Sequence, residues 1–331
     1  MNLPELGEFG FIDRIRARAA SDRDAVLGIG DDCAASRLPE GELLLTSTDM
    51  LLEGMHFRLD WTRPYDLGRK SVAVNLSDLA AMGGTPRHIF LSLAFASSTD
   101  LATLDRILEG ILDEAAEHGV SLLGGDTCRS PGPLVLNLCV QGSVPEKQML
   151  RRDGAKAGQD IYVSGTLGDS ALALRLRQQG QAPGDFLARR HDRPSPRVRL
   201  GRELAKRGLA TAMIDLSDGL LSDLGHILKA SGLGARIEGA SLPLSAEFSR
   251  QLQEDGSLLD LAFAGGEDYE LLFTATAARR AAVAALSRDL DLPLTRVGRT
   301  REGSNLLVLD AAGKPWEKPG RGFDHFSAIP E

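Results

Sequence analysis

Ile214-Asp215-Leu216-Ser217-Asp218-Gly219-Leu220-Leu221-Ser222-Asp223-Leu224-Gly225-His226-Ile227-Leu228-Lys229 is the stretch whose reading decides the fold class. Its opening residues read as a strand giving way to a turn, in which Asp215 and Asp218 bracket Leu216-Ser217 ahead of Gly219. Beyond the glycine, Leu220, Leu221, Leu224, Ile227 and Leu228 share one helical face, with Asp218 placed to cap it. A strand passing through a short turn into a helix is the building unit of α/β folds.

The same alternation extends along the chain. Leu43 to Ser47, Ile89 to Phe95 and Leu134 to Val140 are β-rich runs, and Leu104, Leu108, Ile111, Leu112 and Ala115 form a single apolar helical stripe. Between Met149 and Asp160 the apolar pattern yields to a polar, glycine-containing stretch. It divides the chain into domains 1–148 and 149–331. Gly180 to Pro196 reads as a loop-like insertion rich in Gly, Gln, Arg and Pro.

With 43% hydrophobic and 25% charged residues over 331 positions, the chain has enough apolar material for one large or two medium globular domains. Lys and Arg total 38 against 46 Asp and Glu, a net charge of -8, so no basic field awaits a nucleic acid or an anionic membrane. Cys33, Cys128 and Cys139 match neither a zinc site nor a disulfide framework and read as reduced thiols. The first residues lack a signal-peptide pattern, and no apolar run is long enough to span a bilayer, so a cytoplasmic protein is expected.

The aspartates carry the chemical signal. Asp31-Asp32 follow Gly28-Ile29-Gly30, Asp49 follows Thr46-Ser47-Thr48, and Asp126 follows Gly124-Gly125; with Asp215 and Asp218, each is expected where a strand gives way to a turn. Asp78 differs, lying in a helical pattern from about Pro64 to Met82 that Gly83-Gly84 stops. There Ser71, Asn75 and Asp78 make a polar stripe beside apolar Val72, Leu76, Leu79 and Ala80. Such a stripe has to be satisfied, and a metal ion or a ligand would do so. Taken singly, each Asp reads more readily as a cap or turn residue than as a ligand. Taken together, carboxylates beside Ser47, Thr48 and Ser217 are hard oxygen donors suited to Mg²⁺ or Ca²⁺ rather than zinc or copper. A P-loop, a protein-kinase catalytic loop and a Gly-x-Ser-x-Gly elbow are all absent, which argues against those ways of holding ATP and against a nucleophilic hydrolase.

These strings resemble the thiamine-monophosphate kinase family, in the superfamily of aminoimidazole ribonucleotide synthetase. The matching segments are Gly28 to Ala34, Ser47-Thr48-Asp49, Ala73 to Gly83, Gly124-Gly125-Asp126-Thr127, Ile214 to Gly219, Gly265-Gly266-Glu267-Asp268-Tyr269-Glu270-Leu271 and the closing Phe323-Asp324-His325-Phe326. The resemblance implies an α/β (α+β) fold: an N-terminal mixed sheet with helices that pairs across a homodimer, a C-terminal α/β sandwich domain, and an active-site cleft. It also implies ATP-dependent phosphorylation of thiamine monophosphate to thiamine diphosphate with several Mg²⁺ ions. By the same motifs, Asp32, Ser47, Thr48, Asp49, Asp78, Asp126, Asp215 and Asp218 look like metal ligands. Gly125, Asp126, Arg152 and Ser217 match ATP-contacting positions, and His56, Glu267 and Phe323 match substrate-contacting ones.

An acceptor that is a phosphate monoester has a second pKa of about 6 and is mostly dianionic at neutral pH, so direct in-line transfer needs no general base. Another ATP-using member of the superfamily, or a non-catalytic protein that binds nucleotide or thiamine phosphate, remains a rival. His56 also reads as a packed core histidine, and Arg152 as a surface charge.

Overall fold

A computed structural model describes residues 3–19, 25–27, 29, 35–310 and 312–316; Asp32 and Phe323 lie outside the described residues. The chain forms two compact units. One extends to Lys147; the other begins at Gln148 and also takes in Ala80–Gly83.

The first unit contains α1 (Leu3–Arg18), β1 (Ala25–Leu27), β2 (Ala35–Ser36), β3 (Glu42–Leu52), α2 (Pro64–Ala81), β4 (Thr85–Phe95), α3 (Leu101–Glu117), β5 (Ser121–Arg129) and β6 (Val135–Pro145). Its main sheet has the order β3-β6-β4-β5, with β4 and β5 parallel and the other pairs antiparallel. The parallel pair is joined through α3, as a crossover requires. The apolar stripe seen in the sequence puts Leu104, Leu108, Ile111 and Ala115 in the core. Helix α2 ends at Ala81, and two residues on the chain turns at Gly83, whose φ of 73° suits a residue without Cβ. The two helices cross closely, because a Cβ on Gly68 would meet the Ile107 carbonyl oxygen at 2.0 Å and one on Gly110 would meet that of Tyr65 at 2.0 Å.

The second unit contains β7 (Asp160–Ser164), α4 (Asp169–Gln178), α5 (Asp185–Asp192), α6 (Val198–Lys206), β8 (Ala212–Asp215), α7 (Leu220–Ser231), β9 (Gly234–Glu238), α8 (Ala246–Glu254), α9 (Leu259–Ala264), β10 (Leu271–Ala275), α10 (Arg280–Leu290), β11 (Leu294–Arg301) and β12 (Leu306–Leu309). The sheet order is β12-β9-β11-β7-β10-β8, antiparallel except for β12 beside β9. Ile161, Val163, Leu224, Ile227, Phe248, Phe263 and Leu272 fill its core. No helix among the described residues is long and apolar enough to cross a membrane.

Three expectations are corrected. Gly180 to Pro196 is not simply a loop: α5 occupies Asp185–Asp192, and Leu187, Arg190, His191 and Asp192 are buried there, so tertiary partners stabilise a segment of weak local propensity. Asp49 and Asp126 lie inside β3 and β5 rather than at strand ends. The hydroxyl residues before Asp49 continue the strand, and Gly125 is accommodated in β5 because the backbone of its neighbour β4 comes close: a Cβ there would meet the Leu91 carbonyl oxygen at 1.9 Å. Finally, Asp218 does not cap α7. Gly219 is the N-cap, and Asp223 reaches back to the turn.

Candidate active site

In the first unit, alternation along β3 sends Ser47 and Asp49 to one face and Thr48 to the other. The Ser47 hydroxyl donates to the Asp78 carboxylate on α2, and the Asp49 backbone N–H donates to Asn75 Oδ1 at 3.1 Å. This face of β3 therefore lies on the polar stripe of α2. Most of that stripe is satisfied within the protein, contrary to the expectation that it needs a ligand. Ser71 donates to the Gly68 carbonyl at 2.8 Å, and Asn75 Nδ2 donates to the Ser71 carbonyl at 2.9 Å. The carboxylates are where strain remains. Burial, and then the charge of Asp78, push Asp49 up to about 7.

Thr48 and Asp126 lie on the opposite face. Asp126 pairs with Ser92, Ser92 with Asn137, and Asn137 with Met50, which shares its face of β3 with Thr48. The Thr48 hydroxyl donates to the Leu138 carbonyl at 3.0 Å. The structure thus joins Ser47, Asp49 and Asp78 and sets Thr48 and Asp126 apart from them. His56, half-buried in the turn after β3, accepts the Leu52 N–H on Nδ1 at 3.0 Å, so the neutral ring carries its proton on Nε2.

In the second unit, β8 delivers Asp215 as its last residue, buried, followed by Ser217 and Asp218 in the turn. Asp223, in the first turn of α7, accepts the backbone N–H groups of Asp218 and Gly219 on one oxygen, each at 3.1 Å. Burial, and then Asp218, push the Asp223 carboxyl up to about 7, against the opposing charge of Arg152. Asp218, Asp223 and His226 each offer a ligand atom, all within 4.8 Å of one another. Sequence reasoning missed Asp223 and His226, although their i, i+3 spacing on a helix that begins next to Asp218 was a usable signal.

The segment Gly265 to Glu270 packs against this turn. Glu267 and Tyr269 have φ values of 65° and 49°, left-handed conformations that cost non-glycine residues about 1–3 kcal/mol each. Three backbone hydrogen bonds hold them there: Glu267 N–H to the Ser217 carbonyl at 2.7 Å, Tyr269 N–H to Leu216 at 2.8 Å, and Leu216 N–H to Glu270 at 2.8 Å. Behind the segment, buried Glu270 accepts from Arg197 Nε at 2.6 Å and Ser164 at 2.5 Å, with Arg190 Nη2 at 3.1 Å. Burial raises the Glu270 carboxyl, but the Arg197 and Arg190 guanidiniums outweigh it and hold it below its usual range. Asp268 accepts the Gly168 N–H at 2.8 Å and is pushed up to about 7 by burial, despite Arg190.

Crowded carboxyls are the property that a hard cation would relieve, so the donors present fit Mg²⁺. They also make a stability prediction. With a folded pKa near 7 and an unfolded value of about 3.9, charged Asp49 costs stability above about pH 7, and the cost disappears as pH falls and the folded carboxyl protonates. Asp49→Asn should therefore stabilise the metal-free protein by up to about 4 kcal/mol at pH 8, and the gain should vanish by about pH 4. Urea titrations in EDTA at several pH values measure it; a gain independent of pH would refute the crowding.

Comparison with known proteins gives a consistent picture. The family model for the AIR synthase related protein N-terminal domain matches residues 30–144, and that for the C-terminal domain matches residues 156–309. The chain is 44% identical to thiamine-monophosphate kinase of Escherichia coli K12, over 97% of this chain and 98% of that one. It superposes on the crystal structure of thiamine-monophosphate kinase from Stenotrophomonas maltophilia K279a with a TM-score of 0.83 and 44% identity, covering 92% and 96% of the two chains. A structure of AaThiL complexed with AMPPCP and TMP aligns with a TM-score of 0.77 and 31% identity, covering 98% and 99%. By these matches, extending over nearly its whole length, the chain belongs to the thiamine-monophosphate kinase family.

Proposed function

We propose that this chain phosphorylates thiamine monophosphate to thiamine diphosphate, using ATP as donor, by direct in-line transfer in the cytoplasm. The observation that carries this reading is the crowding of Asp49 with Asp78 and of Asp218 with Asp223, in a chain 44% identical to a kinase of that name. The AaThiL complex, which pairs an ATP analogue with TMP, supports the same two ligands.

In this reading, residues 1–148 form the ATP- and Mg-binding and dimerisation domain, and residues 149–331 supply the remaining groups. Asp32, Ser47, Thr48, Asp49, Asp78, Asp126, Asp215 and Asp218 would hold several Mg²⁺ ions. When bound, these ions neutralise phosphate charge and stabilise the transferring group. Gly125, Asp126, Arg152 and Ser217 contact ATP. His56, with its proton on Nε2, is a donor suited to an anionic acceptor, and Glu267 and Phe323 complete acceptor binding. No side chain serves as general base, because the acceptor phosphate is already ionised at neutral pH, its second pKa being about 6.

The homodimer we propose uses the first unit's sheet. Strand β3 is its edge, and Leu44 and Met50 are 53% and 58% exposed on it, a surface that invites pairing.

The test is incubation with ATP, MgCl₂ and thiamine monophosphate, followed by mass spectrometry for thiamine diphosphate. Unphosphorylated thiamine, whose hydroxyl would need deprotonation, should react poorly. Binding of both ligands without product would instead select the non-catalytic alternative.

A further inference from the structure

We propose that His191 is a positioning residue that orients the Glu267 carboxylate toward the acceptor substrate; this rests on the reading of Glu267 as an acceptor contact. His191 lies in the last turn of α5 with its side chain 5% exposed, whereas that of Glu267 is 24% exposed. A buried ring thus stands behind an accessible carboxylate. His191 Nδ1 is 3.3 Å from Glu267 Oε2 and 2.9 Å from Ser170 Oγ on α4. A bare lone pair facing a carboxylate at that distance would be repulsive, so this nitrogen is assigned the proton, and its single N–H is shared between the Ser170 hydroxyl at 2.9 Å and the Glu267 carboxylate at 3.3 Å.

The main chain explains why such a device is needed. Glu267 sits in a left-handed conformation, and its backbone is pinned to Ser217, but that bond does not choose a side-chain rotamer. Glutamate has three rotatable side-chain bonds, so a buried ring against its carboxylate narrows the directions it samples. The neighbouring residue on α5, Arg190, holds Glu270 at 3.1 Å and so ties the same helix turn to the far end of the segment. Ser170, buried on α4, meets the same Nδ1 at 2.9 Å and so fixes the edge of the ring that faces Glu267. His191 is therefore placed to convert a strained loop into a defined carboxylate position.

Steady-state kinetics with ATP and thiamine monophosphate varied separately test this in the full-length protein. His191→Leu should raise KM for thiamine monophosphate about tenfold and leave KM for ATP within about twofold. His191→Asn, whose amide nitrogen can stand where Nδ1 does, should restore most of the loss. In a Glu267→Gln background His191→Leu should add nothing, since the carboxylate it aims is already gone. Should His191→Leu fail to fold, His191→Gln, which keeps a polar group but displaces the donor, serves the same comparison. Equal increases in both KM values, no rescue by Asn, or effects that multiply in the double variant would overturn the proposal. If Glu267→Gln raises KM for thiamine monophosphate but no His191 variant does, only the positioning role fails. If Glu267→Gln leaves that KM unchanged, the reading of Glu267 itself is wrong and the proposal falls with it.

Discussion

Asp78→Asn is expected to lower turnover about 10²–10³-fold, a loss typical of removing one preorganised charge-stabilising group, while leaving the fold intact. The substitution conserves volume, and the amide oxygen can still accept the Ser47 hydroxyl. What disappears is a negative charge next to Asp49. That charge helps push the Asp49 carboxyl up, so its removal should ease the metal-free protein even as it weakens the site. Stability is gained while function is lost, which separates a ligand defect from a folding defect. Turnover across an MgCl₂ titration is the measurement, and Asp218→Asn, beside Asp223 in the other unit, should behave alike. Wild-type kinetics for either variant at every Mg²⁺ concentration would remove that residue from the set of ligands.

What could be read in the sequence, and what could not, divides along the range of the interactions. The α3 stripe and the stop of α2 at Gly83-Gly84 depend on residues within a few positions of one another, and both are visible in the chain. The reach of β3 beyond Asp49 depends on its antiparallel pairing with β6, about ninety residues away, and local pattern carries no trace of it. The position of Asp126 on a face opposite Asp49 likewise emerges only from the register of three strand pairs. The polar stripe of α2 was seen, but not that Asn75 and Ser71 find hydrogen-bond partners within the protein. Acidic motifs were legible because aspartate beside small residues is a local signal. Their supports on α5 and just ahead of α6 were not, because Arg190, His191 and Arg197 act on Glu267 and Glu270 more than seventy residues later.

Those supports carry the largest stability effect. Arg190→Leu should cost about 3–5 kcal/mol, the range for removing one partner from a buried ionic cluster. Arg190 is almost fully buried, and three carboxylates face it: Asp169 at 3.6 Å, Asp268 at 3.9 Å and Glu270 at 3.1 Å. Each of the three is 0–4% exposed, so water cannot replace the lost guanidinium. Arg197 would still serve Glu270, but Asp268 is pushed up to about 7 even with Arg190 present, and Asp169 is also raised by burial. Removing Arg190 takes away a charge that lowers these pKa values, so the folded state would hold protons more tightly and the ionised forms would cost more. The sign follows: the penalty from Asp268 opens as pH rises above about 7 and closes below it, so it is larger at pH 8 than at pH 5. Urea unfolding of Arg190→Leu at pH 8 and pH 5 measures both the loss and its pH dependence. Adding Asp268→Asn should recover part of the loss at pH 8, because one buried charge goes with its missing partner. A midpoint unchanged from wild type at pH 8 would mean that the cluster is solvated in solution and that Arg190 does not hold the Glu267 to Glu270 segment.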